Sequence, residues 1–256
     1  MNAILGLGGW TVQIIGAFGR MTSFAAQTAV ASMRPFRGRR FVEELYRIGV
    51  RSLVIILLSG FVVGGVLGLQ GYTSLSRFGA EDLLGSGVAL VLIRELGPVV
   101  TSLLVTGRAG SSIAAGIASM NATEQLDGLR MMSVNPLGFV VAPNALAMIL
   151  AMPLLSALFI LMGLLGGYMV GSQLLGVDPG RYLTGIETVT TFEDDIAGSL
   201  LKSLIFGVLI ALISTYHGYT ANRNAQGVSD ATTNTVVIGS VTTLVVNYFF
   251  TALWSS

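Results

Sequence analysis

Arg94 and Glu95 stand side by side in a segment that is otherwise apolar, "LIRELGPVV". Charged side chains in a segment of membrane-crossing length are costly, and they usually face a bundle interior or a wet cavity. Pro98 lies close behind them, and because proline has no backbone N–H, the carbonyl of Arg94 loses its helical partner. The segment therefore predicts a polar opening in a membrane helix. The charges there either form an ion pair that orients two helices or line a site for the head group of an amphipathic substrate.

The partners of these charges can be sought elsewhere in the chain. Lys202 is the sole lysine, and it lies inside another apolar run at a similar depth. Acidic residues at 193–195 directly precede that run. Neighbouring residues of a helix point roughly 100° apart, so Arg94 and Glu95 need not bind each other. We expect Glu95 to face Lys202, or Arg94 to face the acids.

A second segment rich in polar groups is "SMNATEQLDGLRMMSVNP", residues 119–136. Asn121 can cap a helix, with Glu124 reaching back in a capping-box arrangement, which predicts a helix of about three turns over 122–132. Asp127 and Arg130 can pair within it, and an apolar face forms from Leu126, Leu129 and Met132. Two interpretations stay open at this point: a solvated connector, or a docking helix for a cytoplasmic partner.

Catalytic motifs are scarce. The chain has no cysteine, and no phosphate-binding loop is possible because the one lysine lies in "LLKSLIF". Any energy for active transport must then come from another subunit. One enzymatic alternative remains, an intramembrane serine hydrolase that uses Ser111 or Ser112 with His217. Ile113 follows Ser112, where such a hydrolase would usually have glycine.

Composition identifies the setting of these groups. The 256 residues are 53% hydrophobic and only 11% charged, whereas a soluble domain carries roughly a quarter charged residues. We therefore predict an all-α polytopic membrane protein. Its five transmembrane helices should lie at 52–71, 83–118, 145–175, 197–216 and 232–254. The second is longer than a bilayer requires, so it should bend, and Pro98 is the natural place for the bend.

Charge asymmetry predicts the orientation. Residues 1–51 contain seven arginines, whereas the loop between the third and fourth helices carries five acids against one arginine. By the positive-inside rule the N-terminus is cytoplasmic, the acidic loop is external, and five crossings place the C-terminus outside. Residues 1–33 carry one charge and several glycines, and we interpret them as an interfacial helix, with a true span as the alternative.

Two glycine ladders with a spacing of four occur in the first and third predicted helices. Each ladder places its members on one helix face, where another backbone can approach closely. The pattern fits helix packing inside one subunit or a dimer contact. The ladders are Gly60, Gly64 and Gly68, and Gly163, Gly167 and Gly171.

The stretch "LIRELGPVVTSLLVTGRAGSSIAAGIASMNATEQLDGLRMMSVNPLGFVVAPNALA", residues 92–147, closely resembles the permease subunit of MCE-associated ABC transporters, the MlaE-type family. The "GLQGY" at 68–72, the lone Lys202 and the "ATTNTVV" before the fifth helix also fit that family. The resemblance implies one permease domain over 1–256. Within it, the interfacial region would be 1–47, the five-span part 50–256 and the coupling helix 122–132.

The resemblance also implies an assembly. It comprises a permease homodimer, two cytoplasmic ABC ATPases that bind ATP and Mg, a STAS-domain protein on the ATPases, and a periplasmic hexamer of MCE-domain proteins. The permease itself would carry no cofactor or metal and would not be an enzyme. It would lie in a Gram-negative inner membrane and pass phospholipid from an outward-open cavity at the dimer interface to the MCE channel, with no role for nucleic acid.

Site residues carried over by the resemblance form two groups. The coupling helix would contact the ATPase through Glu124, Gln125, Leu126, Asp127 and Arg130. The lipid cavity would be lined by Leu67, Leu69, Gln70, Tyr72, Arg94, Glu95, Leu96, Val99, Lys202 and Asn247. Some relatives have an acidic residue where this chain has Asn247, so a charge network that included this position would lack one member here.

Overall fold

The computed structural model describes residue 16 and residues 19–32 and 38–254 of the chain. Within these ranges the protein is all-α with no strands, as predicted, and five helices are long and apolar enough to cross a membrane. We call them spans one to five. They run over Gly38–Phe78, Glu81–Ala122, Leu137–Leu174, Phe192–Tyr219 and Ala225–Leu253.

Two short helices lie in the connections between spans, one at each end of the bundle, and we name the two ends after them. Helix Gln125–Met131 joins spans two and three, and we call its side the short-helix end. Helix Pro179–Val189 lies between spans three and four on the opposite side, which we call the acidic-loop end. The second helix was missed from the sequence, although Asp178 caps it and Pro179 occupies its first turn.

Span one and span three pack through their glycines. A Cβ atom on Gly64 would lie 1.8 Å from the carbonyl oxygen of Gly163, and one on Gly60 would lie 2.6 Å from that of Phe159. Gly68 similarly faces the backbone of Gly167. Backbones this close leave no room for side chains, so these glycines serve packing inside one chain. A Cβ atom on Gly171 would instead meet side chains that pack against span three, not another backbone.

Span two is interrupted twice by π-helical turns, at Leu92–Leu96 and Thr106–Gly110. At the first turn Gly97 donates its N–H to the carbonyl of Leu92, five residues back. The wider turn directly precedes Pro98, so an extra residue in this turn accommodates the missing N–H. Arg94 and Glu95 both lie in this turn.

Helix Pro179–Val189 is fixed to span two by a tyrosine. Tyr182 is fully buried, and its backbone carbonyl approaches Gly85 so closely that a Cβ there would lie 2.2 Å away. Ser86 donates a hydrogen bond of 2.9 Å to the carbonyl of Gly185. Burial raises the pKa of Tyr182 to about 12. These contacts hold the acidic loop against the bundle and thereby position its aspartates.

The N-terminal part of the chain is described only in part. Residues 1–15 of the expected interfacial region lie outside the described residues, whereas 19–32 form a helix. Phe24 anchors that helix at the short-helix end, with its ring 5.6 Å from that of Tyr216 and 5.5 Å from that of Tyr219. Span one itself begins at Gly38, well before the predicted 52, because the amphipathic segment Gly38–Ile48 continues into it.

Candidate functional site

A cavity of about 340 Å³ opens near the acidic-loop end, between spans two, four and five. We call it the charged cavity, since most of its polar lining is ionisable. It is lined by Arg94, Glu95, Asp194, Asp195, Gly198, Ser199, Lys202, Phe250 and Thr251. A pocket of this volume is large enough for a small polar group. The surrounding spans are apolar, so it is a polar pocket at the border of a membrane-spanning bundle.

Lys202 is the centre of the cavity's polar network. Its side chain is only 4% exposed, and its ammonium contacts the Arg94 carbonyl at 2.7 Å and the Glu95 carboxylate at 3.2 Å. The carbonyl is the one that Pro98 leaves without a helical partner. The sequence-based expectation that Glu95 faces Lys202 is therefore confirmed. The structure adds that the same ammonium binds the freed backbone oxygen.

Arg94 pairs with the acidic segment before span four. Its Nε lies 2.5 Å from Oδ1 of Asp195, whose side chain is 1% exposed. The other oxygen of Asp195 accepts hydrogen bonds from the backbone N–H and the hydroxyl of Thr191. Both alternatives for the charge partners thus occur together, because Arg94 and Glu95 point to different neighbours from one turn.

Span five contributes hydrogen-bonding groups that carry no charge. Asn247 donates its side-chain N–H to Oε2 of Glu95 at 3.1 Å, and Thr251 donates its hydroxyl to Oε1 at 2.8 Å. The departure at Asn247 does not leave the network short of a member. An amide donor at this position satisfies the Glu95 carboxylate, whereas an acid there would oppose it.

The remaining residues predicted to line the cavity lie elsewhere in the single chain. Leu67 and Gln70 line a separate groove of about 270 Å³ between spans one and two. Val99 is buried in the core, and Tyr72 and Leu96 are half-buried against it. Leu69 is exposed on the surface of span one. Their role in a cavity at the dimer interface stays a prediction, because the structure contains one chain.

Two polar lining residues, Ser199 and Thr251, were not predicted from the sequence. Ser199 lies four residues after Asp195 and three before the predicted Lys202, which places all three on one face of span four. Thr251 lies four residues after Asn247 on span five. That periodicity was available in the sequence. What the sequence did not reveal is which face of each helix turns toward span two.

At the short-helix end, helix Gln125–Met131 is shorter than predicted and lacks the capping box. Asn121 belongs to span two and donates its side-chain N–H to the carbonyl of Ala221 at 2.8 Å. Glu124 adopts a left-handed conformation with a φ of 59°, which ends one helix and starts the next. The predicted cap was wrong because the chain continues span two through Ala122.

The short helix is bound to spans four and five by a cluster of charges. Asp127 forms an ion pair with Arg130 at 2.7 Å, as predicted, and another with Arg223 at 2.8 Å. Arg130 also donates to the hydroxyl of Tyr219 at 2.6 Å, and this hydrogen bond raises the pKa of Arg130. The helix is therefore attached to the connection between spans four and five as well as to span two.

The surface that this helix offers to a partner is polar. Glu124 and Gln125 are exposed, and Arg130 is half-exposed. Leu126 is only 2% exposed, because it inserts into the protein's own core. Its expected role as a partner contact is corrected accordingly, since a side chain so deeply buried anchors the helix from within.

The hydrolase alternative gains no support. Ser111 donates its hydroxyl to the carbonyl of Gly107 at 2.5 Å, one turn back in its own helix. The ring of His217 packs against Tyr216 at 5.7 Å. Within the described residues no hydrogen bond joins His217 to Ser111 or Ser112, so a nucleophile and base are not assembled there.

Comparison with known proteins identifies the family of this chain. A family model described as "Permease MlaE" matches residues 41–253, most of the chain. The chain belongs to the MlaE permease family. An intermembrane phospholipid transport system permease protein of Haemophilus influenzae is 42% identical over 255 residues, which cover 99% of this chain and 97% of the relative.

More distant relatives share the same region. A probable ABC transporter permease protein of Rickettsia prowazekii is 40% identical and matches 94% of this chain and 92% of its own length. The chloroplastic protein TRIGALACTOSYLDIACYLGLYCEROL 1 of Arabidopsis thaliana is 30% identical, matching 84% of this chain and 61% of its own. These relatives, where named by activity, are permeases, consistent with a multi-pass subunit of a transporter rather than an enzyme.

Proposed function

We propose that this chain is the membrane-spanning subunit of an ATP-driven phospholipid transporter, and that a phospholipid head group occupies the charged cavity. The observation that carries the proposal is the cavity itself, a cluster of charged and hydroxyl groups at the edge of an apolar five-span bundle. A phospholipid matches this arrangement, because it has a polar head group and apolar tails. Family membership supports the same conclusion.

The assembly that we propose contains two copies of the permease and two cytoplasmic ABC ATPases, which bind the ATP and Mg. A STAS-domain protein would bind the ATPases, and a periplasmic hexamer of MCE-domain proteins would receive or deliver the lipid. The complex would lie in a Gram-negative inner membrane, with the N-terminus cytoplasmic. The short-helix end is then cytoplasmic and the acidic-loop end periplasmic, in agreement with the arginine-rich segment 38–51 at the first of these ends.

Coupling between the ATPase and the cavity has a structural route. The exposed surface of helix Gln125–Met131 would contact the ATPase, and Asp127 would transmit its movement to Arg223 in the connection between spans four and five. Tyr219, bound by Arg130, lies on the same helix as Lys202. A shift of the short helix would thereby tilt the spans that carry the cavity's network.

The experiment is an ATP-dependent transfer of labelled phospholipid between proteoliposomes that contain the assembled complex and a soluble lipid acceptor. Glu95→Ala should lower transfer when complexes are compared at equal amounts of folded, assembled permease, since the side chain lies in the cavity away from the short helix. Arg77→Ala is the matched control, because Arg77 is also near the acidic-loop end but does not line the cavity. Transfer that is independent of ATP would contradict the proposal, as would equal rates for Glu95→Ala and the wild type.

A further inference from the structure

The charged cavity offers few free groups to a ligand, because most of its charges are already used. Lys202 directs its ammonium at three acceptors, the Arg94 carbonyl, the Glu95 carboxylate and the hydroxyl of Thr251 at 3.1 Å. An ammonium has three N–H donors, so none is left over. Lys202 therefore organises the cavity wall and does not bind the ligand.

The carboxylates of Glu95 and Asp195 are engaged in the same way. Each of the two oxygens of Glu95 accepts at least one hydrogen bond, from Lys202 and Thr251 on one side and from Asn247 on the other. Both oxygens of Asp195 are likewise occupied, by Arg94 and Thr191. Neither acid has an oxygen without a partner.

Three lining groups remain for a ligand. Arg94 uses only its Nε among the described contacts, its side chain is 56% exposed, and its terminal N–H groups are free to donate. Ser199 lines the cavity and is 4% exposed, and its buried hydroxyl has no partner among the described residues. Asp194 lines the cavity, is exposed, and forms no ion pair within the described residues.

These free groups differ in the chemistry they recognise. The N–H groups of Arg94 and the hydroxyl of Ser199 are donors suited to phosphate oxygens, and arginine binds phosphate with a well-matched fork. Asp194 is an acceptor that suits an ammonium group. Two cations and three carboxylates line the cavity, so its net charge is −1. The carboxylate without an ion-pair partner among the described residues is that of Asp194.

We propose that the charged cavity prefers a phospholipid whose head group carries both a phosphate and an ammonium, as in phosphatidylethanolamine, over one whose head group is anionic. This proposal rests on the proposed function and adds the class of lipid. The phosphate binds Arg94 and Ser199, while the ammonium binds Asp194. An anionic head group such as that of phosphatidylglycerol would satisfy the donors but leave Asp194 unpaired, inside a cavity that is already negative.

The test uses the assembled complex in nanodiscs that contain equal amounts of phosphatidylethanolamine and phosphatidylglycerol. Lipids that stay bound after mild detergent extraction are then identified by native mass spectrometry. We expect the ethanolamine lipid to be enriched roughly twofold to fivefold, the range that one partly exposed charge pair provides. Asp194→Asn should abolish this enrichment, and Asp194→Lys should reverse it in favour of phosphatidylglycerol.

Two further variants separate the possible explanations. Glu193→Gln is the matched control, because Glu193 is an exposed acid on the same turn that does not line the cavity, and it should keep the wild-type ratio. Ser199→Ala should reduce both lipids equally, since it removes a phosphate donor. A bound pool that mirrors the nanodisc, or equal effects of Asp194→Asn and Glu193→Gln, would overturn the lipid preference. Retention of no phospholipid at all would instead refute the proposed function.

Discussion

Removing Glu95 and removing Lys202 from their ion pair should lower the stability of the protein by different amounts. Lys202 is 4% exposed at its side chain and Glu95 is 37% exposed. Glu95→Gln leaves a buried ammonium with neutral acceptors only. Lys202→Met leaves a carboxylate that water can reach and that still has Asn247 and Thr251 as donors. The glutamate substitution should therefore destabilise the protein more than the lysine substitution does.

The magnitudes follow from burial. Breaking a fully buried pair costs about 3–5 kcal/mol, and we expect the lower end of that range, about 3 kcal/mol, for Glu95→Gln. For Lys202→Met we expect about 1–2 kcal/mol, because the remaining carboxylate can be hydrated. The double variant should cost less than the sum of the two singles by about 1–3 kcal/mol, since it removes both charges together.

The assay is reversible unfolding in mixed micelles, with the four proteins of the double-mutant cycle compared under the same conditions. The control cycle uses Arg181 and Asp82, an ion pair at the same end whose side chains are 65% and 57% exposed. That cycle should give a coupling below about 1 kcal/mol, because exposed pairs contribute little. Additive effects at Lys202 and Glu95, or a larger loss from Lys202→Met than from Glu95→Gln, would refute this account of the network.

Three other outcomes are expected. Gly64→Ala should lower the free energy of unfolding by about 3 kcal/mol or more, since its Cβ would lie 1.8 Å from a backbone oxygen. Gly116→Ala is the control, because a Cβ there meets nothing within 4 Å. Similar losses for the two variants would contradict the packing. Asp127→Arg and Arg223→Asp should each reduce lipid transfer per ATP by about twofold to fivefold. The double swap should restore it only in part, because Arg130 then faces a like charge at position 127; no rescue at all would exclude the direct pair. Tyr182→Phe should not destabilise the protein at neutral pH, because the buried hydroxyl has no partner among the described residues. Its folded pKa of about 12 exceeds the usual value of about 10, so the wild type should lose more stability than Tyr182→Phe as pH rises from 10 through 12 in chemical denaturation.

The charge partners could be predicted because the sequence restricts them strongly. Lys202 is the sole lysine, the acids precede its helix directly, and Pro98 identifies the carbonyl that needs a new donor. Each of these constraints can be recognised from the residue types of a single helix, although the ion pairs themselves join spans two and four. The five spans and the absence of strands among the described residues followed from hydropathy in the same way.

The parts that sequence reasoning missed depend on relations between helices. Leu67 and Gln70 line a groove between spans one and two that is separate from the charged cavity, and this separation depends on how the helices pack, which hydropathy does not encode. The end of span two at Ala122 depends on a left-handed residue at Glu124, a conformation that non-glycine residues rarely adopt. A capping-box pattern fitted the same residues and was wrong.

The central claim is that a phospholipid head group enters the charged cavity and leaves it when ATP is used. The chain has no cysteine, so Ser199→Cys would provide a single thiol inside the cavity, and Ser74→Cys would provide one in the separate groove that Leu67 lines. The measurement is cross-linking of each variant, in the assembled complex, to a phospholipid with a thiol-reactive head group. We expect strong labelling at position 199, weak labelling at position 74, and a loss of the former during ATP turnover. Equal labelling at both positions, or labelling at position 199 that ATP leaves unchanged, would contradict it.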